Sequence, residues 1–172
     1  MYDDAVRYMT SASAPYPPVA VKEKNPFYAA LLAEDLAGER GELTAIHQYV
    51  YQSWLLAPHS RDAARALRNV ARVEMLHLDI LGEIVTLLGC TPKFGVVENG
   101  CRLYWNGEMP SYEKNPAEMM KQNVRLEKAA IGAYGAHTAQ IQDVRVQTML
   151  RRLILDEELH LQLFKRLCAD FS

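Results

Sequence analysis

Cysteine is scarce in this chain: Cys90, Cys101 and Cys168 make three in 172 residues, an odd number without a Cys-x-x-Cys pair. That excludes a zinc knuckle, a rubredoxin-type iron site and a secreted disulfide framework, and it fits reduced thiols in the cytoplasm. Excess charge of one sign is also missing. With 19 basic against 21 acidic residues the net charge is -2, so a broad basic face for nucleic acid or an anionic membrane is not expected. No uncharged run reaches the roughly 18 residues of a transmembrane helix. The opening Met1, Tyr2, Asp3, Asp4 lacks the basic start of a secretory signal. A soluble, cytoplasmic protein acting on a small molecule, an ion or another protein is the expectation.

What the chain does have is helical period. Residues 1–25 carry Pro15, Pro17 and Pro18 without periodicity and read as an extended arm with no chemistry of its own. Residues 26–172 read as one domain. Asn25 and Pro26 form a cap and first-turn proline for a helix over 26–57, with Tyr28, Leu32, Leu36, Leu43, Ile46 and Val50 on its apolar face. Ser60 caps a second helix whose stripe runs Leu67, Val70, Glu74, His77, Leu81, Ile84, Leu88, with Gly89 as its stop. Asn115, Pro116 and Glu118 open a third helix to about Gln142, and Asp143 caps a fourth. The buried face of the fourth is expected to be Val146, Leu150, Leu153, Glu157, His160, Phe164 and Leu167. Between the two helical hairpins, about 90–114, glycine and proline break every period, no strand pattern stands out, and Tyr104 and Trp105 are expected to anchor the segment. Some 25 residues can run the ~45 Å length of a helix of about 30 residues, so the connection is a lengthwise crossover in an all-α four-helix bundle.

Two stripes contain the same polar pair. Glu74 with His77, and Glu157 with His160, stand three residues apart, so each pair projects from one face about one turn apart and can bind one ion. A lone Glu-x-x-His is weak evidence. Two of them inside stripes of leucine, isoleucine and phenylalanine are stronger, because a buried unpaired carboxylate costs several kcal/mol. Each pair also has an upstream glutamate, Glu42 or Glu127, followed seven residues on by Tyr49 or Tyr134. Seven residues is nearly two turns, so each phenol shares a face with its glutamate and can donate to the cluster. Four carboxylates and two imidazoles balance two divalent ions and suit iron or manganese better than zinc or copper. Redox work on dioxygen or peroxide is therefore expected, rather than plain hydrolysis.

At this point a resemblance becomes specific. One glutamate from each of two helices plus Glu-x-x-His from the other two is the pattern of ferritin-like di-iron and di-manganese carboxylate proteins. "GELTAIHQY" and "EMLHLD" resemble bacterioferritin segments, and "LDEELHLQLF" resembles rubrerythrins. The resemblance implies a ferritin-like bundle with Glu74 and Glu157 bridging the metals and Glu42 and Glu127 terminal. It also implies pairing of two copies along the first helices. Val73 replaces the bacterioferritin aspartate before the helix 2 glutamate, while Asp156 keeps the equivalent place in helix 4. Asp156 is thus expected to orient His77 across the bundle, leaving His160 to another acceptor or water. Ala130 stands where rubrerythrins carry an extra glutamate, which disfavours a rubrerythrin peroxidase. Met75 coincides with the haem-ligating methionine of bacterioferritins, yet it points about 100° from Glu74, so haem is not expected. With the sequence stopping at Ser172, a few residues beyond the fourth helix, the short fifth helix of cage-forming ferritins and their storage shell are not expected.

The leading expectation is an oxidoreductase with two Fe ions that oxidises Fe(II) or consumes hydrogen peroxide, using dioxygen or peroxide as oxidant. A manganese catalase with two Mn ions is the first alternative, and a metal-free assembly or coat protein is the second. Glu39 could replace Glu42 as ligand, but only Glu42 has the tyrosine partner. Asp35 is read as a capping or exposed residue, Glu158 as a solvated charge, and His47, His59 and His137 are given no role. The arginines 61, 65, 68 and 72 are read as pairing with acidic groups or a second subunit.

Overall fold

The computed structural model describes residues 8–171, so the first seven residues of the expected arm lie outside the described residues. Five helices and one hairpin follow: α1 Pro26–Ala37, α2 Glu42–Leu56, α3 Arg61–Leu87, β1 Gly95–Glu98, β2 Cys101–Tyr104, α4 Pro116–Gln140 and α5 Val144–Asp170. The α2–α3 and α4–α5 hairpins pack into a four-helix bundle, with α1 laid against α3 and α4. Side chains of Asn25, Ser60, Asn115 and Asp143 accept first-turn amides of α1, α3, α4 and α5, meeting the orphan donors that every helix start leaves. Among the described residues no helix is long and apolar enough to cross a membrane.

One helix over 26–57 was expected; the chain breaks it at residues 38–41. The reason is local. Gly38 N–H closes α1 on Glu34 O at 2.9 Å, and Gly41 N–H turns back on Gly38 O at 3.0 Å. A Cβ on Gly41 would meet Asp35 O at 2.5 Å and Glu34 O at 2.7 Å, so only glycine allows the backbone to approach itself there. The break restarts the helix at Glu42, placing that carboxylate in the favourable first turn of α2. Gly41→Ala is expected to cost about 1–3 kcal/mol, measured by urea unfolding. Gly132→Ala, on an open face of α4 with nothing within 4 Å of the added carbon, should instead gain up to about 1 kcal/mol.

The crossover also departs from expectation. It holds a two-stranded antiparallel hairpin with Gly95 opposite Tyr104 and Glu98 opposite Cys101. Asn99 at φ 50° and Gly100 at φ 77° form its turn, the left-handed pair that Asn-Gly supplies. Tyr104 is 58% exposed, its backbone paired with Gly95, so its side chain is not buried against the bundle. Trp105 does anchor the segment: its Nε1 donates to Thr44 Oγ1 at 3.0 Å, and its ring lies 4.5 Å from that of His47.

Two apolar clusters fill the bundle. One gathers Leu32, Leu36, Leu81, Ile84, Leu88, Leu150 and Leu153; the other gathers Leu56, Leu67, Val70, Met119, Met120, Phe164 and Leu167. Along α3 and α5 the polar residues fall between these clusters, so water is kept from them at both ends.

Candidate metal centre

Glu42 on α2, Glu74 and His77 on α3, Glu127 on α4, and Glu157 and His160 on α5 all point into this gap, each at most 5 % exposed. Their ligand atoms form two overlapping groups. Glu42, Glu74, His77 and Glu157 make one, and Glu74, Glu127, Glu157 and His160 make the other, with all donor atoms of a group within 4.8 Å of one another. Glu74 and Glu157 belong to both. Glu74 places Oε1 2.9 Å from His160 Nδ1 and Oε2 3.0 Å from His77 Nδ1. Glu157 does the converse, with Oε1 2.9 Å from His77 Nδ1 and Oε2 3.2 Å from His160 Nδ1. Glu42 and Glu127 sit further out, 3.6 Å from His77 Nδ1 and 3.9 Å from His160 Nδ1.

Both Glu74 oxygens, Glu157 Oε1 and His77 Nδ1 are buried without a hydrogen-bond partner among the described residues. The closest approaches of these oxygens to the histidine nitrogens are about 3 Å, yet they make no hydrogen bond there. Buried groups left so are costly, and cations held among them would remove that cost. The donor set thus fits a pair of divalent ions.

Electrostatics say the same. In the ion-free chain burial, then the charges of Glu74 and Glu157, push Glu42 up to about 8. The same causes raise Glu127 well above the ordinary carboxylate range. Burial alone would raise Glu157 too, but His77 and His160 hold it below its ordinary value. Burial opposes charge on the two histidines, yet the surrounding carboxylates raise both well above the ordinary value. Without metal the cluster keeps protons where ions would go.

The tyrosines are placed across the bundle. Tyr49 Oη donates to Glu127 Oε1, and Tyr134 Oη donates to Glu42 Oε1. Each phenol therefore serves the other repeat's glutamate, not the one seven residues before it. His77 Nε2 lies 3.1 Å from Asp156 Oδ2, and His160 Nε2 lies 2.7 Å from the carbonyl of Thr10. Burial would raise Asp156, but hydrogen bonds from His77, Tyr16, the Ala12 amide and Arg152 outweigh it and hold the carboxyl below its ordinary range. A narrow cavity of about 10 Å³ is shared by Glu42, Glu74, Glu127, Glu157 and both tyrosines, and it extends to Ala130, Asp35 and Arg40.

Other sequence readings fall out differently. Glu39 and Glu158 are exposed, and so is Met75. Asp35 is no exposed cap: it is buried and pairs with His137 at 2.7 Å, which gives His137 a partner that helical spacing on one helix could not reveal. The arm is not inert, since Thr10, Ala12 and Tyr16 reach the histidine supports. Arg152 was also missed; its signal was the i,i+4 spacing to Asp156 on a stripe otherwise apolar.

The family model for "Manganese containing catalase" matches residues 16–101, which hold Glu42, Glu74 and His77. A "Probable manganese catalase" of Clostridium acetobutylicum is 28% identical over 169 residues, covering 86% of this chain and 72% of that protein. Among solved structures, KatB, a manganese catalase from Anabaena PCC7120, superposes with a TM-score of 0.80 at 22% identity, over 92% of this chain and 78% of its own. A Rhodobacter capsulatus bacterioferritin superposes at 0.72 and 21% identity, over 87% of this chain and 88% of that one. These two superpositions show the ferritin-like four-helix fold. With half its length matched by that family model, the chain belongs to the manganese-containing catalase family.

Proposed function

We propose that this chain is a di-manganese oxidoreductase that disproportionates hydrogen peroxide, 2 H2O2 → 2 H2O + O2. The observation that carries the reading is the pair of buried ligand groups sharing Glu74 and Glu157. In this reading those two carboxylates would help hold both ions. Glu42 and His77 complete one position, and Glu127 and His160 complete the other. The hard donor set accepts iron as well; membership of the manganese catalase family favours manganese over the di-iron reading.

A bound manganese pair would supply the two-electron redox chemistry that oxidises one peroxide and reduces the next. The protein's own part is geometric and electrostatic. Tyr49 Oη–H fixes Glu127 Oε1 and so turns Oε2 toward the His160 position. Tyr134 Oη–H donates to Glu42 Oε1, the same oxygen that lies 3.6 Å from His77 Nδ1, and so fixes that oxygen directly. The two apolar clusters exclude bulk water, and the cavity of about 10 Å³ beside the carboxylates is no larger than about one water needs. Ala130 leaves its stretch of the lining free of a further carboxylate. One peroxide gives up two protons as it becomes dioxygen, and the next takes two as it becomes water, so the cycle needs no net proton supply.

Protein loaded anaerobically with Mn(II) should bind two ions per chain and evolve one dioxygen per two peroxides, measured with an oxygen electrode. If instead Fe(II)-loaded protein develops near-ultraviolet ferric absorption in air while Mn-loaded protein evolves no oxygen, the manganese reading is wrong. Tyr134→Phe should leave two ions bound while lowering kcat by about 10-fold, as expected when a partner that orients a ligand is lost. A variant with unaltered turnover would remove Tyr134 from the account.

A further inference from the structure

The N-terminal arm holds the outer nitrogen of one ligand imidazole directly and reaches the other through Asp156, although none of the proposed metal ligands lies on it. His160 Nε2 donates directly to Thr10 O at 2.7 Å. His77 Nε2 meets Asp156 Oδ2 at 3.1 Å, and Asp156 is itself held by the arm. The Ala12 amide donates to Asp156 Oδ1 at 2.6 Å, and Tyr16 Oη donates to Oδ2. Arg152, only 5 % exposed, fastens the arm from α5: its Nε donates to Ala14 O at 2.6 Å and an Nη to Ala12 O at 3.0 Å. The same guanidinium lies 2.9 Å from Asp156 and 3.9 Å from the centre of the Tyr16 ring.

A ligand imidazole is oriented by what its other nitrogen bonds to, and losing that partner typically costs about 10- to 100-fold in metal affinity. Here the supports differ in kind. His77 rests on a side chain of α5, a helix of the bundle. His160 rests on a backbone carbonyl of a segment without secondary structure of its own, fastened to α5 by Arg152 and by Asp156. We propose that the arm is a latch on the metal pair: its docking through Arg152 and Tyr16 fixes both imidazoles and sets how fast the ions leave. This rests on the two-ion reading above and extends it to residues outside the ligand set. Thr10, Ala12, Tyr16 and Arg152 act as positioning residues.

The test loads full-length protein with Mn(II), removes free ion, adds excess EDTA, and follows manganese per chain together with the electron paramagnetic resonance spectrum. Tyr16→Phe keeps the ring on Arg152 and removes only the hydroxyl on Asp156. One ion, on the His77 side, should leave about 10-fold faster, and the spectrum of the coupled pair should give way to that of an isolated Mn(II). Arg152→Gln, which frees the arm and loosens Asp156, should speed the loss of both ions by at least as much. Ion-free Tyr16→Phe should melt within a few degrees of wild type, separating loss of orientation from loss of fold. Release curves of both variants superimposing on wild type overturn the latch while leaving the two-ion reading intact. Simultaneous loss of both ions from Tyr16→Phe with a collapsed melting temperature overturns it too, by making the arm a general brace. A wild-type chain that takes up no manganese pair fails the underlying reading and the latch with it.

Discussion

Replacing Glu74 by Gln should abolish the two-ion centre, leaving at most one weakly held Mn(II) per chain, and cut peroxide turnover by at least about 1,000-fold. The size follows from position. Glu74, like Glu157, reaches toward both histidines, its oxygens 2.9 Å from one and 3.0 Å from the other, and neither Glu74 oxygen has a hydrogen-bond partner among the described residues. An amide offers one neutral oxygen where two anionic ones stood, so both ions lose a charged ligand at once. Two-electron chemistry then has no second metal to draw on, and a loss of about 4 kcal/mol in barrier lowering accounts for the factor of about 1,000.

The same substitution should act in the opposite direction on the ion-free fold. Glu74 is a principal charge raising Glu42 and Glu127, and removing it relieves repulsion that the ion-free chain offsets only in part by holding protons. Ion-free Glu74→Gln is therefore expected to melt above the ion-free parent, while the Mn-loaded parent melts above both. Elemental analysis with paired thermal scans checks this. A variant that still binds two ions tightly, or whose ion-free form melts lower, would mean that Glu74 does not help hold both ions. Glu42→Gln should be milder, since Glu42 belongs to only one of the two ligand groups.

The parts of this structure legible in the sequence are those set by short-range spacing. Each helix-starting cap, Asn25, Ser60, Asn115 and Asp143, was readable because a side-chain acceptor sits next to its own orphan amides. The polar pairs within α3 and α5 were readable because three residues on a helix fix a shared face. What escaped depends on contacts between distant segments. The hairpin at Gly95–Glu98 and Cys101–Tyr104 is too exposed to show alternation, and its only local mark was Asn99-Gly100. The break before Glu42 lay under an apolar period that continues across it, so Gly38 and Gly41 were the sole signal. The crossed pairing of Tyr49 with Glu127 and Tyr134 with Glu42 comes from how the two hairpins face each other. No spacing within one helix encodes it. Thr10 acts through a backbone carbonyl, and a carbonyl leaves no trace in residue identity.

Acidity should govern the ion-free protein strongly and the loaded protein little. Four groups bind protons more tightly in the fold than in the unfolded chain. Glu42 is pushed up to about 8, Glu127 is raised well above the usual carboxylate range, and both His77 and His160 are raised well above theirs. For a raised group the stabilisation is complete below the unfolded value and is lost as pH rises through the folded one. Asp156 and Glu157 work the other way: both are lowered, so their contribution is present above the ordinary carboxylate range and is lost in acid. The ion-free melting temperature should therefore peak near pH 5 and fall toward pH 8, by on the order of 10 °C if the net loss is a few kcal/mol. Saturating Mn(II) replaces those protons and should flatten the profile above pH 6. Its binding near pH 7 should release protons into weak buffer, with an apparent affinity that climbs with pH. Thermal scans from pH 4 to 9 with and without chelator decide the matter. An ion-free melting temperature that rises steadily from pH 5 to 8 would mean the six side chains are not crowded around a shared pair of cation positions.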